Sequence, residues 1–211
     1  MVSQDSNPQP AVSGRAPKKE SVLPDLWHNI RIMTAPGSGS APPENRFSAA
    51  DVQAVGRARG WLGAGPPAEQ GAWCERAAAL LGPKSPDHAA LEDLLSLVFR
   101  YDAQEILAGT EAHMVLSRYA ARDVIRKLAD FLLDPAPLTT ERFNQIVEAL
   151  KADLAVRGRE LFHPLRLALA GRSGEGELDR VVLLLDEAAA AGFPLLVKTA
   201  RARIIEFCSA L

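Results

Sequence analysis

The stretch of this chain with the strongest helical pattern carries a proline in its middle, and that conflict limits what the stretch can form. Residues 159–172 read RELFHPLRLALAGR. Leu161, Leu165, Ala168 and Leu169 recur at i, i+4, i+7 and i+8, the spacing of one apolar helix face. Pro164 lacks an amide hydrogen, and in a helix interior its ring meets the carbonyl four residues back. The spacing therefore predicts a helix that begins around Phe162 or His163, with Pro164 in its first turn. Gly171 and Gly174 end it, Ser173 to Glu177 makes a polar turn, and helical periodicity resumes from Leu178 to Ala191. The expected product is a helix-turn-helix corner. Arg159, Arg166 and Arg172 lie off the oily face, with Arg166 on a rigid element beside a mobile loop.

The rest of the chain repeats this pattern in shorter pieces. Residues 1–45 are rich in Ser, Pro, Gly and Gln and are expected to be a disordered tail. Within it, residues 21–33 could form one amphipathic helix, in which Trp27 docks on the chain's own core or on a partner protein. Ser48, with Asp51 three residues on, opens the folded body with a capping signal. Helices follow at Ala68 to Leu81, from a Ser85-Pro86 start, and over Asp102 to Ala108, Thr110 to Ser117 and Ala120 to Leu133. Thr139 or Thr140 starts the next one, and the last runs from Thr199 to Ala210. No period-two alternation and no strand-turn-strand signal occurs, so the fold class is all-α, a helical bundle or cage. The expected division is 46–118 as an N-terminal helical subdomain and 119–211 as a second helical domain.

Composition narrows the function. With 24 basic and 26 acidic residues the net charge is −2, which gives no global pull on nucleic acid, so RNA binding would need a local patch. One window holds Lys151, Arg157, Arg159, Arg166 and Arg172 against Asp153 and Glu160, and Lys198, Arg201 and Arg203 form a second basic cluster. Cys74 and Cys208 lack metal-ligand spacing, and no metal site or cofactor is expected. There is no phosphate-cradling glycine motif and no convincing nucleophile or paired-acid arrangement, so catalytic residues are expected to be absent. The first twenty residues lack the apolar core of a secretory signal, and no apolar run is long enough to span a bilayer. These features predict a cytoplasmic protein without a membrane partner.

Gly158, Leu161, Phe162, Pro164, Leu165, Arg166, Leu167, Ala168, Leu169, Gly171 and Arg172 resemble the signature of the C-terminal anticodon-binding domain of bacterial glutamyl-tRNA synthetase, a class I enzyme. The threonine usual before the family's glycine is Ala170 here, which removes a hydroxyl. The resemblance covers roughly Asp123 to Leu211 and implies the family's helical cage without its catalytic domain, whose ATP-handling motifs have no counterpart in this sequence. It implies that Arg166 lies at an anticodon-reading surface and that Leu178 packs on an anticodon base, with Glu175 in the loop between. Together with the charge pattern, the expected RNA-binding set is Arg159, His163, Arg166, Arg172, Glu175, Leu178, Lys198 and Arg201. The expected partner is a tRNA, glutamate-accepting by resemblance, with a synthetase catalytic domain or another protein reached through the Trp27 region. Two alternatives stay open: a protein-interaction module that has lost RNA contact, and the C-terminal part of a split glutamate-tRNA ligase. At Arg166 the residues also allow a structural reading, an ion pair with Glu177 or Asp179 that clamps the corner.

Overall fold

The computed structural model describes residues 45–211 apart from positions 64 and 66. The expected tail up to residue 44, its helix at 21–33 and Trp27 lie outside the described residues. Among the described residues there are eleven α-helices and no strand, an all-α fold. They are α1 (Ala49–Ala58), α2 (Ala68–Leu81), α3 (His88–Phe99), α4 (Ala103–Ala108), α5 (Thr110–Leu116), α6 (Ala121–Leu132), α7 (Thr140–Leu154), α8 (Arg159–Ala170), α9 (Glu177–Val182), α10 (Leu185–Ala190) and α11 (Ala200–Ala210). No described helix is long and apolar enough to cross a membrane.

Five of the eleven helix starts are set by side chains that satisfy orphan amides of the first turn. Ser48 and Asp51 form the reciprocal capping box of α1. Asp102 accepts from the amides of Gln104 and Glu105, Thr139 from Arg142, and Thr199 from Ala202. One expected start moves. The hydroxyl of Ser85 is taken by the Leu81 carbonyl at 3.0 Å, so Asp87 caps α3 instead and receives the Ala90 amide at 2.8 Å. The expected helix from Leu178 to Ala191 is two helices, α9 and α10. They break at Leu183–Leu184, where the Trp73 indole donates to the Leu184 carbonyl at 3.1 Å.

One continuous apolar core runs from Phe47 to Phe207 and crosses positions 118–119 without a gap. Trp61 stacks on Phe99 at 4.6 Å, while Trp73 and Phe193 meet that ring edge-on, so four of the chain's twelve aromatics gather at one centre. α8 packs against α5, α6, α9 and α11. Being enclosed on several sides changes its character. Besides the expected ridge, Pro164, Arg166, Leu167 and Ala170 are also buried, so its second half is interior all round rather than amphipathic.

α8 also starts one turn earlier than the proline suggests. Gly158 takes φ +55° and ψ −133°, a backbone shape that side chains disfavour, and its carbonyl receives the Phe162 amide at 2.9 Å. Pro164 thus lies inside the helix, and the Glu160 carbonyl loses its helical donor in an exposed turn. The other end stops at Gly171, φ +83°, where a Cβ would come within 3.1 Å of Ile106 Cδ1. Gly171→Ala is therefore expected to cost about 1–2 kcal/mol from the left-handed backbone alone. Urea unfolding checks this, with Gly192→Ala as reference, since Gly192 is left-handed with nothing near its missing Cβ. A Gly171→Ala protein as stable as the parent would show that the helix does not end this way.

Candidate nucleic-acid interface

The corner after α8 is pinned from several directions. The Arg166 guanidinium grips Asp179 with two parallel bonds, Nε to Oδ1 and Nη2 to Oδ2, each 2.7 Å, and Nη1 donates to the Gly174 carbonyl at 2.7 Å. Phe162 lies under it, 4.9 Å from the guanidinium carbon to the ring centre. Arg166 is 9% exposed. Its charge is spent within the protein, on the carboxylate named beforehand as a possible clamp.

Two more elements hold the turn. Arg172 forms a forked pair with Asp93 of α3, and Ser173 donates both its amide and its hydroxyl to Glu111 of α5. The hydrogen bond from Arg172 holds the Asp93 carboxyl below its usual range, while the same bond raises Arg172. Both side chains are about half exposed, so a pair of this kind is worth about 1 kcal/mol or less. The loop expected to be mobile is thus tied to α3, α5, α8 and α9, because Arg172, Ser173, the Gly174 carbonyl and the Glu175 amide each find a partner on a neighbouring helix.

The other expected residues fall into separate places. Leu178 is buried at 3% exposure, packed in the core rather than presented to a base. Glu175 is exposed on the turn, and its amide donates to Glu177 at 3.2 Å. Lys198 is neutralised by Glu206 at 2.6 Å and donates to the Tyr101 carbonyl at 2.9 Å. Arg201 is exposed, with no ion pair among the described residues. Arg203, the third cation of that cluster, is fully buried and donates to the carbonyls of Leu97, Val98, Leu169 and Lys198. The C-terminal basic cluster is therefore not a continuous surface patch. α11 does pack beside α8, but it turns Arg203 inward to do so.

What the structure does bring together lies at the opposite, N-terminal end of α8. Arg159 and His163 stand one turn apart on its outer half. The Nη1 atom of Arg118, in the link between α5 and α6, lies 3.3 Å from His163 Nδ1. Desolvation and then the cations Arg118, Arg166 and Arg159 push the imidazole below its ordinary value, so His163 is uncharged at neutral pH. Neither Arg118 nor Arg159 has a carboxylate partner among the described residues, and both are exposed. Arg122 begins α6 on the same link, also exposed and unpaired among the described residues. Between Arg118 and Arg122 sits Tyr119 with its side chain wholly in solvent, 101% exposed. Cations that hold no acid, interleaved with a bare aromatic ring, can bind phosphates and a base at once. Arg118, Tyr119 and Arg122 were not among the expected residues. Their signal in the sequence is the run SRYAAR, which puts a tyrosine between two arginines at a helix start.

Among the described residues, no group of three or more His, Cys, Asp or Glu side chains could hold a metal ion. A family described as the anticodon binding domain matches residues 53–188. A glutamate-tRNA ligase of Carboxydothermus hydrogenoformans is 32% identical over 105 residues, which is 50% of this chain and 20% of that protein. A protein named glutamate-tRNA ligase 2 from Syntrophus aciditrophicus is 27% identical over 115 residues, 54% of this chain and 23% of its own length. A glutamate-tRNA ligase of Geobacillus stearothermophilus is 27% identical over 117 residues, 56% of this chain and 23% of its own. The match thus spans about a fifth of the length of these relatives. No solved structure gives a significant match.

Proposed function

Since this chain belongs to the anticodon-binding domain family, we propose that it binds the anticodon loop of a tRNA, without catalysing aminoacylation on its own. The observation that carries this reading is the surface made by Arg118, Arg159 and His163, whose arginines hold no carboxylate among the described residues, in a protein of net charge −2. Phosphates lower the free energy of such a patch by supplying the counter-charge that the protein withholds. The pinned corner contributes indirectly, by fixing how α8 meets α5 and α9. The tRNA is the glutamate-accepting one by the relatives' names, and a synthetase catalytic domain supplies the chemistry that this chain lacks.

A titration of the full chain with glutamate-accepting tRNA and with bulk RNA tests this at two salt concentrations. Tighter binding to the tRNA is expected, with affinity falling as salt rises. Arg118→Ala and Arg159→Ala should each weaken binding about fivefold and flatten the salt dependence, by a slope of about 0.7 per lost contact on a single strand. No preference over bulk RNA at moderate salt, or unchanged affinity in both variants, would discard the reading.

A further inference from the structure

We propose that Tyr119 is a stacking platform for one unpaired nucleobase of the bound RNA, with Arg118 and Arg122 holding the phosphates on either side. The inference rests on the RNA-binding reading above and adds the residue that would touch a base. Tyr119 differs sharply from Tyr101, the other tyrosine in the sequence. Tyr101 is half-buried, its hydroxyl donates to the Ala168 carbonyl, and burial holds its phenol protonated. Tyr119 touches nothing that would reward its apolar ring. Its backbone leaves it no way inward. Ala120 and Ala121 are buried on its C-terminal side, and the link is closed by hydrogen bonds from the Ser117 amide to His113, Arg118 to Val115 and Ala121 to Arg118. A stiff turn therefore keeps an aromatic face in water.

The neighbours choose the occupant. Arg118 precedes the ring, Arg122 follows three residues on, and Arg159 with His163 lies beside Arg118 across the link. A protein partner's apolar side chain would have to desolvate these cations around the ring, at a cost without return. A nucleotide meets both demands, since its base offers a flat π-face and its phosphates offer the anions. Any base fits such a platform, so it contributes affinity and the placement of an unstacked loop rather than base identity.

The test uses the full chain and an RNA hairpin with the glutamate anticodon loop. Tyr119→Ala should fold as the parent does by circular dichroism, because the ring touches no protein, and should bind the hairpin about tenfold more weakly. Tyr119→Phe keeps the π-face and should bind within about twofold of the parent. In Tyr119→Trp, the added indole emission should be quenched by the hairpin and left unchanged by inorganic polyphosphate. Parent-like affinity in Tyr119→Ala while Arg118→Ala weakens binding would overturn the platform and leave the RNA reading standing. Tyr119→Phe as weak as Tyr119→Ala would assign the effect to the hydroxyl and overturn it as well. Absence of hairpin binding by the parent protein would remove both.

Discussion

Arg203→Met is expected to cost about 3–5 kcal/mol of folding stability. Arg203 is fully buried without a carboxylate in contact. Its guanidinium donates at 2.9 Å to Leu97, at 2.6 Å to Val98 and at 2.8 Å to Leu169. Those carbonyls belong to the last turns of α3 and α8, where helices leave acceptors without internal donors and carry partial negative charge. Two helix ends thus converge on one cation, which serves as a shared cap and as counter-charge. Tyr101 completes the arrangement by stacking 4.6 Å from the guanidinium and donating to Ala168, one residue before Leu169. Burial draws the Arg203 pKa down to about 10, still far enough above neutral to keep the charge.

Removing the guanidinium strands three buried acceptors at once, and methionine supplies volume but no donor. A fold of this size is stable by only about 5–15 kcal/mol, so a large share would be lost. Urea unfolding followed through the buried Trp73 measures it. Arg203→Lys should fall between parent and methionine variant, since an ammonium cannot fork across two helix ends. A loss below about 1 kcal/mol in Arg203→Met would mean that other groups or water can satisfy those carbonyls.

This interior arginine was partly legible in the sequence. Ala200, Arg203, Ile204 and Phe207 stand at i, i+3, i+4 and i+7, so Arg203 lies in register with the buried face of α11. Counting cations placed it on a surface, whereas following the helix period would have placed it inside. Helix positions were legible because their determinants are local: Ser48 with Asp51, Asp102, Thr139, Thr199 and Gly171 each set an end within a few residues of themselves. Depth was not, because it depends on which helices surround a given one. α8 reads as amphipathic alone and becomes interior once four neighbours enclose it. The same limit hid Arg118 and Tyr119. Arg118 approaches His163 across a separation of 45 residues in the chain, and nothing local in either segment points to the other.

The Arg166–Asp179 pair separates a clamp from an RNA contact by the direction in which its two halves move. Side-chain exposures of 11% and 22% make it a largely dry pair, with ideal forked geometry and a third bond to the Gly174 carbonyl. Losing either partner strands the other, so Arg166→Ala and Asp179→Ala should each cost about 2–4 kcal/mol. The double variant should cost less than their sum by about 1–3 kcal/mol. RNA affinity, measured where all variants remain folded, gives the decisive contrast. If Arg166 only holds the corner, both single variants release the same turn and change affinity alike. If the guanidinium met a phosphate, Asp179→Ala would free a cation and strengthen binding while Arg166→Ala weakened it. The geometry favours the first outcome, because three of the arginine's donors already sit at 2.7 Å from protein acceptors. A phosphate would have to outbid a carboxylate that is covalently part of the same corner and pays no entropy of association. Opposite movements of the two variants would overturn the clamp and return Arg166 to the RNA surface.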